Sequence, residues 1–289
     1  MQVSNTNQSI SDLLQVHQGP SRTPYVESDP RNSLEPNFYY PQEDKLFAYC
    51  KDHPETDWNI ICPAWIIGAV SNATMNALHP LAVYAAVQAH KGEPLHFPGD
   101  YTAYMSNCEH STAMLTGYLS EWAVLEDTCR NQKFNASDGC PLPNNRLWPE
   151  LARWFGCSGT TGPELDESKI TTIDPGDVPT PLGYRPSLKK RFAWSLSDWA
   201  TKPENHQAWK EIMAEHGLTQ DPFQDVEAHF TYGDAAAWGL AMQLSMNKAK
   251  YFGFTGHVDT LESLFWAYGE LNKLKMLPPL KVEKANPLI

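Results

Sequence analysis

The feature that most constrains this chain is a change of apolar period that repeats between Phe38 and Gly139. From Phe38 to Lys51 the apolar side chains recur at helical spacing (Phe38-Tyr39-Tyr40, Leu46-Phe47, Tyr49-Cys50). After a turn at Asp52 to Glu55 comes the short apolar run Trp58-Asn59-Ile60-Ile61-Cys62. A run this short and apolar suits a strand covered on both faces, as in a parallel sheet. The cycle then repeats. A second apolar burst, Ala64 to Val70, leads to Ser71-Asn72, which can cap a helix over 73–90. Leu95-His96-Phe97 reads as a short strand, 111–126 as a helix, and Lys133 to Ser137 as a strand ended by Asp138-Gly139. Strands alternating with helices predict an α/β fold with a parallel sheet.

Three regions follow. Residues 1–36 are polar, with turn residues and no apolar period, and read as a loop region. Residues 37–142 hold the α/β part. Residues 143–289 read as a mainly helical substrate-binding region, with helices near 143–155, 204–216, 236–252 and 259–274 and a long loop at 156–190. Asp259 with Glu262 three positions on forms a capping-box arrangement for the last helix.

Charge and composition narrow the function. Lys and Arg number 22 against 34 Asp and Glu, a net charge of −12 with no basic stripe, which disfavours nucleic acid and anionic membrane surfaces as partners. No stretch reaches the roughly 18 apolar residues of a membrane helix and the start has no cationic opening, so the expectation is a cytoplasmic protein. The six cysteines include no Cys-x-x-Cys pair and the histidines no His-x-x-x-His or His-x-His, so no metal is expected. Cys108-Glu109-His110 reads as a solvent-facing loop, and Lys189-Lys190-Arg191 as a solvated turn. Gly156-x-x-Gly159-x-x-Gly162 has a dinucleotide-loop spacing, but it leaves a helix and runs into Pro163, whereas a phosphate cradle must leave a strand and open a helix. Trp194, Trp199, Trp209 and Phe192 read as core on a helical stretch, with an apolar substrate lining as the alternative.

One segment carries more specific information: Asn37-Phe38-Tyr39-Tyr40-Pro41-Gln42-Glu43-Asp44. Taken alone, two tyrosines near a helix start are half-buried packing residues or an acid and oxyanion donor. The segment is similar to the signature of the progesterone 5-beta-reductase and iridoid synthase group, a branch of the extended short-chain dehydrogenases. Trp58 to Gly68, Met75-Asn76, Leu81 to Ala86, Phe134 to Gly139 and Ser245 to Phe254 follow in that group's order, so the resemblance covers roughly residues 15–278 and looks closest to fungal members. It implies a partial Rossmann-like parallel sheet, with Tyr39 catalytic and Tyr40 its structural neighbour. It also implies that Ile66, Ala73, Thr74 and Met75 lie along the nicotinamide of NADP(H), with NAD as the alternative. Trp65 and Tyr104 are then candidate walls for a small hydrophobic substrate.

The match departs from the group in two ways. Cys62 stands where arginine is usual, and no Gly-rich turn between strand and helix, nor a Thr-Gly-x-Lys strand, precedes the signature. The lysine normally lowers the tyrosine pKa. The resemblance implies an NADP(H)-dependent oxidoreductase reducing a hydrophobic enone or carbonyl compound of secondary metabolism. The alternatives are a non-catalytic remnant or binding module, and a cofactor-independent isomerase or cyclase using the same pocket. The strand at 58–62 is expected to need its edge covered, by a second copy or by a partner chain.

Overall fold

The computed structural model describes residues 22–32, 34, 36–71, 75–180, 189–238 and 242–288. Helix α1 (Tyr39–Asp52) leads into β1 (Asn59–Pro63), and after the single residue Ala64 the chain continues as β2 (Trp65–Ile67). Next come α2 (His79–His90), β3 (Leu95–His96), α3 (Tyr101–Met105), β4 (His110–Thr112), α4 (Ala113–Leu125) and β5 (Gln132–Ala136). Strand β1 runs parallel to β5, from Asn59 opposite Gln132 to Pro63 opposite Ala136. Strand β2 runs parallel to β4, from Trp65 opposite His110 to Ile67 opposite Thr112. The expected parallel α/β frame is therefore present.

One side chain joins the two strand pairs at the Ala64 step. The Ser111 hydroxyl accepts from Ala64 N (2.7 Å) and donates to Ala136 O (2.7 Å), so neither backbone group is left unmet in the core. Alternation along β1 then sorts the layers. Ile60 and Cys62 face Tyr39, Leu46 and Phe47 of α1, whereas Ile61 packs with Leu115 and Leu119 of α4, Phe134 of β5 and Phe254. Both faces are covered, which is why the run reads as continuously apolar.

The rest is mostly helical: α5 (Asn144–Phe155), α6 (Leu196–Ala200), α7 (Pro203–His216), α8 (Val226–Trp238), α9 (Asn247–Tyr251) and α10 (Thr260–Lys273). Helix α2 packs against α5, α7 and α8 around fully buried Tyr84, Trp148, Trp154, Trp209 and Tyr268. Short pairings complete the frame: β6 (Thr160–Thr161) parallel to β3, and β7 (Thr171–Ile173) antiparallel to β8 (Lys190–Phe192). The C-terminal segment is bound back onto the helices. Lys281 N donates to Trp154 O, Asn286 N and Nδ2 to the Glu150 carboxylate, and Leu288 N to Asp259.

Several elements differ from the sequence reading. Helix α2 starts at His79, because Asn76 Oδ1 takes the Leu78 and His79 N–H groups and Pro80 belongs in a first turn. Ser111 and Thr112 leave the expected 111–126 helix to pair with β2. The expected helix at 236–252 is α8, then bridges at Met242 and Leu244, then α9. Met242, Leu244 and Met246 alternate with period two, and all three are buried. Cys108-Glu109-His110 is no solvent-facing loop: Glu109 accepts from Ser137 Oγ (2.8 Å) and Leu244 N (2.8 Å), and His110 opens β4. Lys189-Lys190-Arg191 is no solvated turn but lies at β8. Lys189 pairs with Asp174, Lys190 lies over the Trp238 ring, and Arg191 bridges Glu167 and Asp100. Gly156, at φ +81°, ends α5 with its N–H on Ala152 O, so the glycine run follows a helix C-terminus, where carbonyl oxygens repel phosphate.

Candidate active site at the Tyr39 end of the sheet

A short connection joins the end of α1 to the start of β1, and the two pack face to face, so the first turn of α1 lies at the carboxyl end of β1. In open α/β sheets that end is where ligands bind. The signature segment builds this arrangement residue by residue. Asn37 Oδ1 accepts from Tyr39 N (2.9 Å), fixing the entry to the helix. Tyr40 OH accepts from Asn32 N (2.9 Å), and the Arg31 guanidinium lies 4.8 Å above the Tyr40 ring. Arg31 also reaches Glu43 (2.8 Å) and Asp44 (2.8 Å), while Lys133 Nζ meets Glu43 at 2.7 Å. Glu43 is 1% exposed, so two cations hold one buried carboxylate and pin α1 to β5. Asn37, Tyr40, Glu43 and Asp44 thus hold the helix. Tyr39, half-buried, lies against the tilted Phe38 ring (4.1 Å between centroids) and packs on Ile60 and Cys62.

The other described candidates follow in the chain from β2 to α3. Ile66, on β2, is 50% exposed and Met75 is 58% exposed, a pair of apolar side chains left facing outward. Ala73 and Thr74 lie outside the described residues. Trp65 is buried with Ala64, Ala77, Ala235 and Met242, and Tyr104 is half-buried against Phe97 (4.9 Å between centroids). Tyr39, Trp65 and Tyr104 therefore pack in three separate clusters. Two lysines lie close to β1 and β5, but Lys133 is bound to Glu43, and Lys248 Nζ donates to Lys133 O (2.9 Å).

A group not singled out by the sequence reading sits beyond β4 and β5. A cavity of about 670 Å³ is lined by Thr112, Asp138, Cys140, Asp259 and Trp266 among others, on the α4 and α10 side of the sheet. The Asp138 carboxylate accepts from Thr112 N (2.6 Å), Thr112 Oγ1 (3.0 Å) and Thr260 Oγ1 (3.2 Å). Burial lifts its pKa to about 6 against the pull of those donors. In the sequence this residue shows only as the Asp-Gly that ends an apolar strand and as part of the Phe134 to Gly139 stretch of the resemblance, neither of which marks it as functional. Among the described residues no three His, Cys, Asp or Glu side chains are grouped to hold a metal ion, and no helix is long and apolar enough to cross a membrane.

The PRISE-like Rossmann-fold domain matches residues 12–181. The (S)-8-oxocitronellyl enol synthase CYC2 of Camptotheca acuminata is 30% identical over 90% of this chain and 59% of its own length. The 3-oxo-Delta(4,5)-steroid 5-beta-reductase of Arabidopsis thaliana is 28% identical over 88% of this chain and 58% of its own. The short chain dehydrogenase gsfE of Penicillium aethiopicum is 26% identical over 94% of this chain and 68% of its own. The chain thus spans a little under three-fifths of the length of these two plant relatives. With the family match covering more than half of its residues and the parallel frame behind it, this chain belongs to the PRISE-like Rossmann-fold family.

Proposed function

We propose that this chain carries the tyrosine and the substrate-binding part of an NADP(H)-dependent reductase acting on a hydrophobic enone or carbonyl compound of secondary metabolism. The observation that carries this reading is Tyr39, on a helix start held by four neighbouring signature residues at the carboxyl end of β1. The names of the relatives, a steroid reductase, an enol synthase and a short chain dehydrogenase, support it.

The cofactor fits in part. The outward apolar faces of Ile66 and Met75 suit the nicotinamide ring, with Ala73 and Thr74 between them in sequence. No strand, glycine turn and helix suited to its phosphates occurs among the described residues. When bound, the cofactor supplies hydride to the substrate carbon conjugated with the carbonyl, or to the carbonyl carbon itself. Tyr39 donates its hydroxyl hydrogen bond to the oxygen as charge develops there, and then protonates it. Neither Lys133 nor Lys248 supplies the cation that lowers a tyrosine pKa in this family, since both are engaged elsewhere.

Titration of the purified chain with NADPH, followed by melting temperature, tests the reading, since a ligand of the native state must stabilise it. Saturable stabilisation, with enone reduction lost at least about a hundredfold in Tyr39→Phe while binding persists, supports the reductase. A folded chain indifferent to millimolar NADPH overturns it for this chain alone. Because the phosphate cradle is not found among the described residues, that outcome turns attention to the second reading, an isomerase or binding module that uses the pocket without cofactor.

A further inference from the structure

Helix α4 is apolar on both of its faces. Leu115, Leu119 and Ala123 are buried in the core beside Phe134 and Phe254, whereas Met114, Tyr118, Val124 and Leu125 point outward and are each between 54% and 73% exposed. Trp266 of α10, half-exposed, lines the cavity around Asp138 together with Met114 and so extends the patch beyond the helix end. Only one charged residue, Glu121, occurs in the thirteen residues of α4. A helix that is apolar all round is ordinarily a buried one, and a contiguous outward patch of this kind marks an interface.

The order of residues along the outward face says what covers it. Met114, Tyr118, Glu121 and Leu125 follow at intervals of four, three and four, the spacing of a coiled-coil seam. The seam is symmetric about its midpoint between Leu119 and Ser120: turned end for end, it sets Met114 on Leu125 and Tyr118 on Glu121. A surface that maps onto itself is what an isologous two-fold contact requires, in which residue i meets j and j meets i. A parallel pairing would set Glu121 against Glu121, like charges in an apolar seam, whereas the antiparallel one gives each carboxylate a phenol hydroxyl as donor. Neither Tyr118 nor Glu121 has a hydrogen-bond partner within the chain among the described residues. Gly117 lies on the same face, and a Cβ there would meet nothing within 4 Å, which leaves room for a second helix to approach closely. The five outward side chains, at their exposures, offer about 600 Å² per copy, or about 1,200 Å² in all, the lower bound of specific protein interfaces.

We propose that α4 is the seam of a two-fold symmetric dimer. The α4 helix of a second copy of this chain lies antiparallel across it, with Met114 on the partner's Leu125 and the Tyr118 hydroxyl donating to the partner's Glu121. The contact lies on the face of the sheet opposite to α1 and leaves Tyr39 open.

Sedimentation of the full chain over a concentration series should show a reversible dimer. Leu125→Glu, at an exposed position outside the core, should weaken it at least about thirtyfold without unfolding the monomer, because each copy would then bury a charge in the seam. Chains carrying Met114→Cys and chains carrying Leu125→Cys should form a disulfide when mixed under mild oxidation, mapped by mass spectrometry to 114 and 125, and far less when either is oxidised alone. That pair of variants decides the matter even if Leu125→Glu fails to fold. Disulfides of 114 with 114 and of 125 with 125 would show a parallel seam and overturn the proposal. A dimer that Leu125→Glu leaves intact is held elsewhere and also overturns it. So does a chain that stays monomeric at about 100 μM. If that monomer binds neutral phosphatidylcholine vesicles and Leu125→Glu abolishes the binding, lipid is the occupant of this face instead.

Discussion

Glu43 is a carboxylate taken almost wholly out of water and met by Arg31 on one side and Lys133 on the other. Glu43→Ala leaves Lys133 half-enclosed without its partner, and removal of one member of a buried pair costs about 3–5 kcal/mol, so the midpoint of urea unfolding should fall sharply. Asp138 makes an opposite kind of prediction. Its carboxyl titrates near 6 in the folded chain and near 4 when unfolded, so the native state keeps a proton that the unfolded chain releases. Its contribution to stability is therefore present below about pH 4 and lost as pH rises to about 6, with no further change above. Asp138→Asn should flatten that part of the profile and raise the melting temperature at pH 7 more than at pH 4.5. Asp234, lifted to about 6 by burial although hydrogen bonds from Ser197 and the Leu196 N–H pull it down, acts in the same sense. Buried His79, held down to about 3, and His110, held down to about 4, act in the reverse sense, losing stability as pH falls below about 6.5, so the mutant difference is the clean observable. At this scale the sequence announced the Tyr39 segment as a unit. What it could not announce was the work of Glu43, because Arg31 and Lys133 are joined to it by the fold and not by spacing.

Elements were legible where one period ruled a long stretch. Helix α1, strands β1 and β5, and helices α5, α7 and α10 lie within a few residues of their expected places, and Asp259 Oδ1 caps α10 by accepting from Glu262 N (2.9 Å). Short elements defined by a distant partner were not. Strand β4 is three residues long and exists because β2 lies beside it, and the break between α8 and α9 follows from bridges to Tyr25 and Cys108. Helix α5 also carries a fastening for the chain end. Although burial pushes the Glu150 pKa up, hydrogen bonds from Arg153, Asn286 and Trp154 outweigh it and hold the carboxyl down at about 2. Glu150→Ala should cost about 2–4 kcal/mol, since it strands several charge-assisted donors at once. Hydrogen exchange should then show the backbone amide of Asn286 losing protection while those of β1 keep theirs.

On the scale of the whole molecule, β1 is paired with β5 on one side and has no second strand partner among the described residues, although both its faces are covered. A parallel strand in this position ordinarily has neighbours on each edge, which supports the proposal that a further copy or a partner polypeptide closes the sheet. Light scattering across a concentration series should reveal a mass above 32.5 kDa, and a strictly monomeric, fully folded chain would refute closure by a second copy. The fastened C-terminal segment bears on how any such sample behaves. Loss of the segment that carries Asn286 and Leu288 takes a donor from the Asp259 cap and uncovers the Glu150 carboxylate. Molecules that have lost this segment would therefore form a distinct, lower-melting population. A biphasic thermal trace should be checked against intact mass before it is read as two folding units.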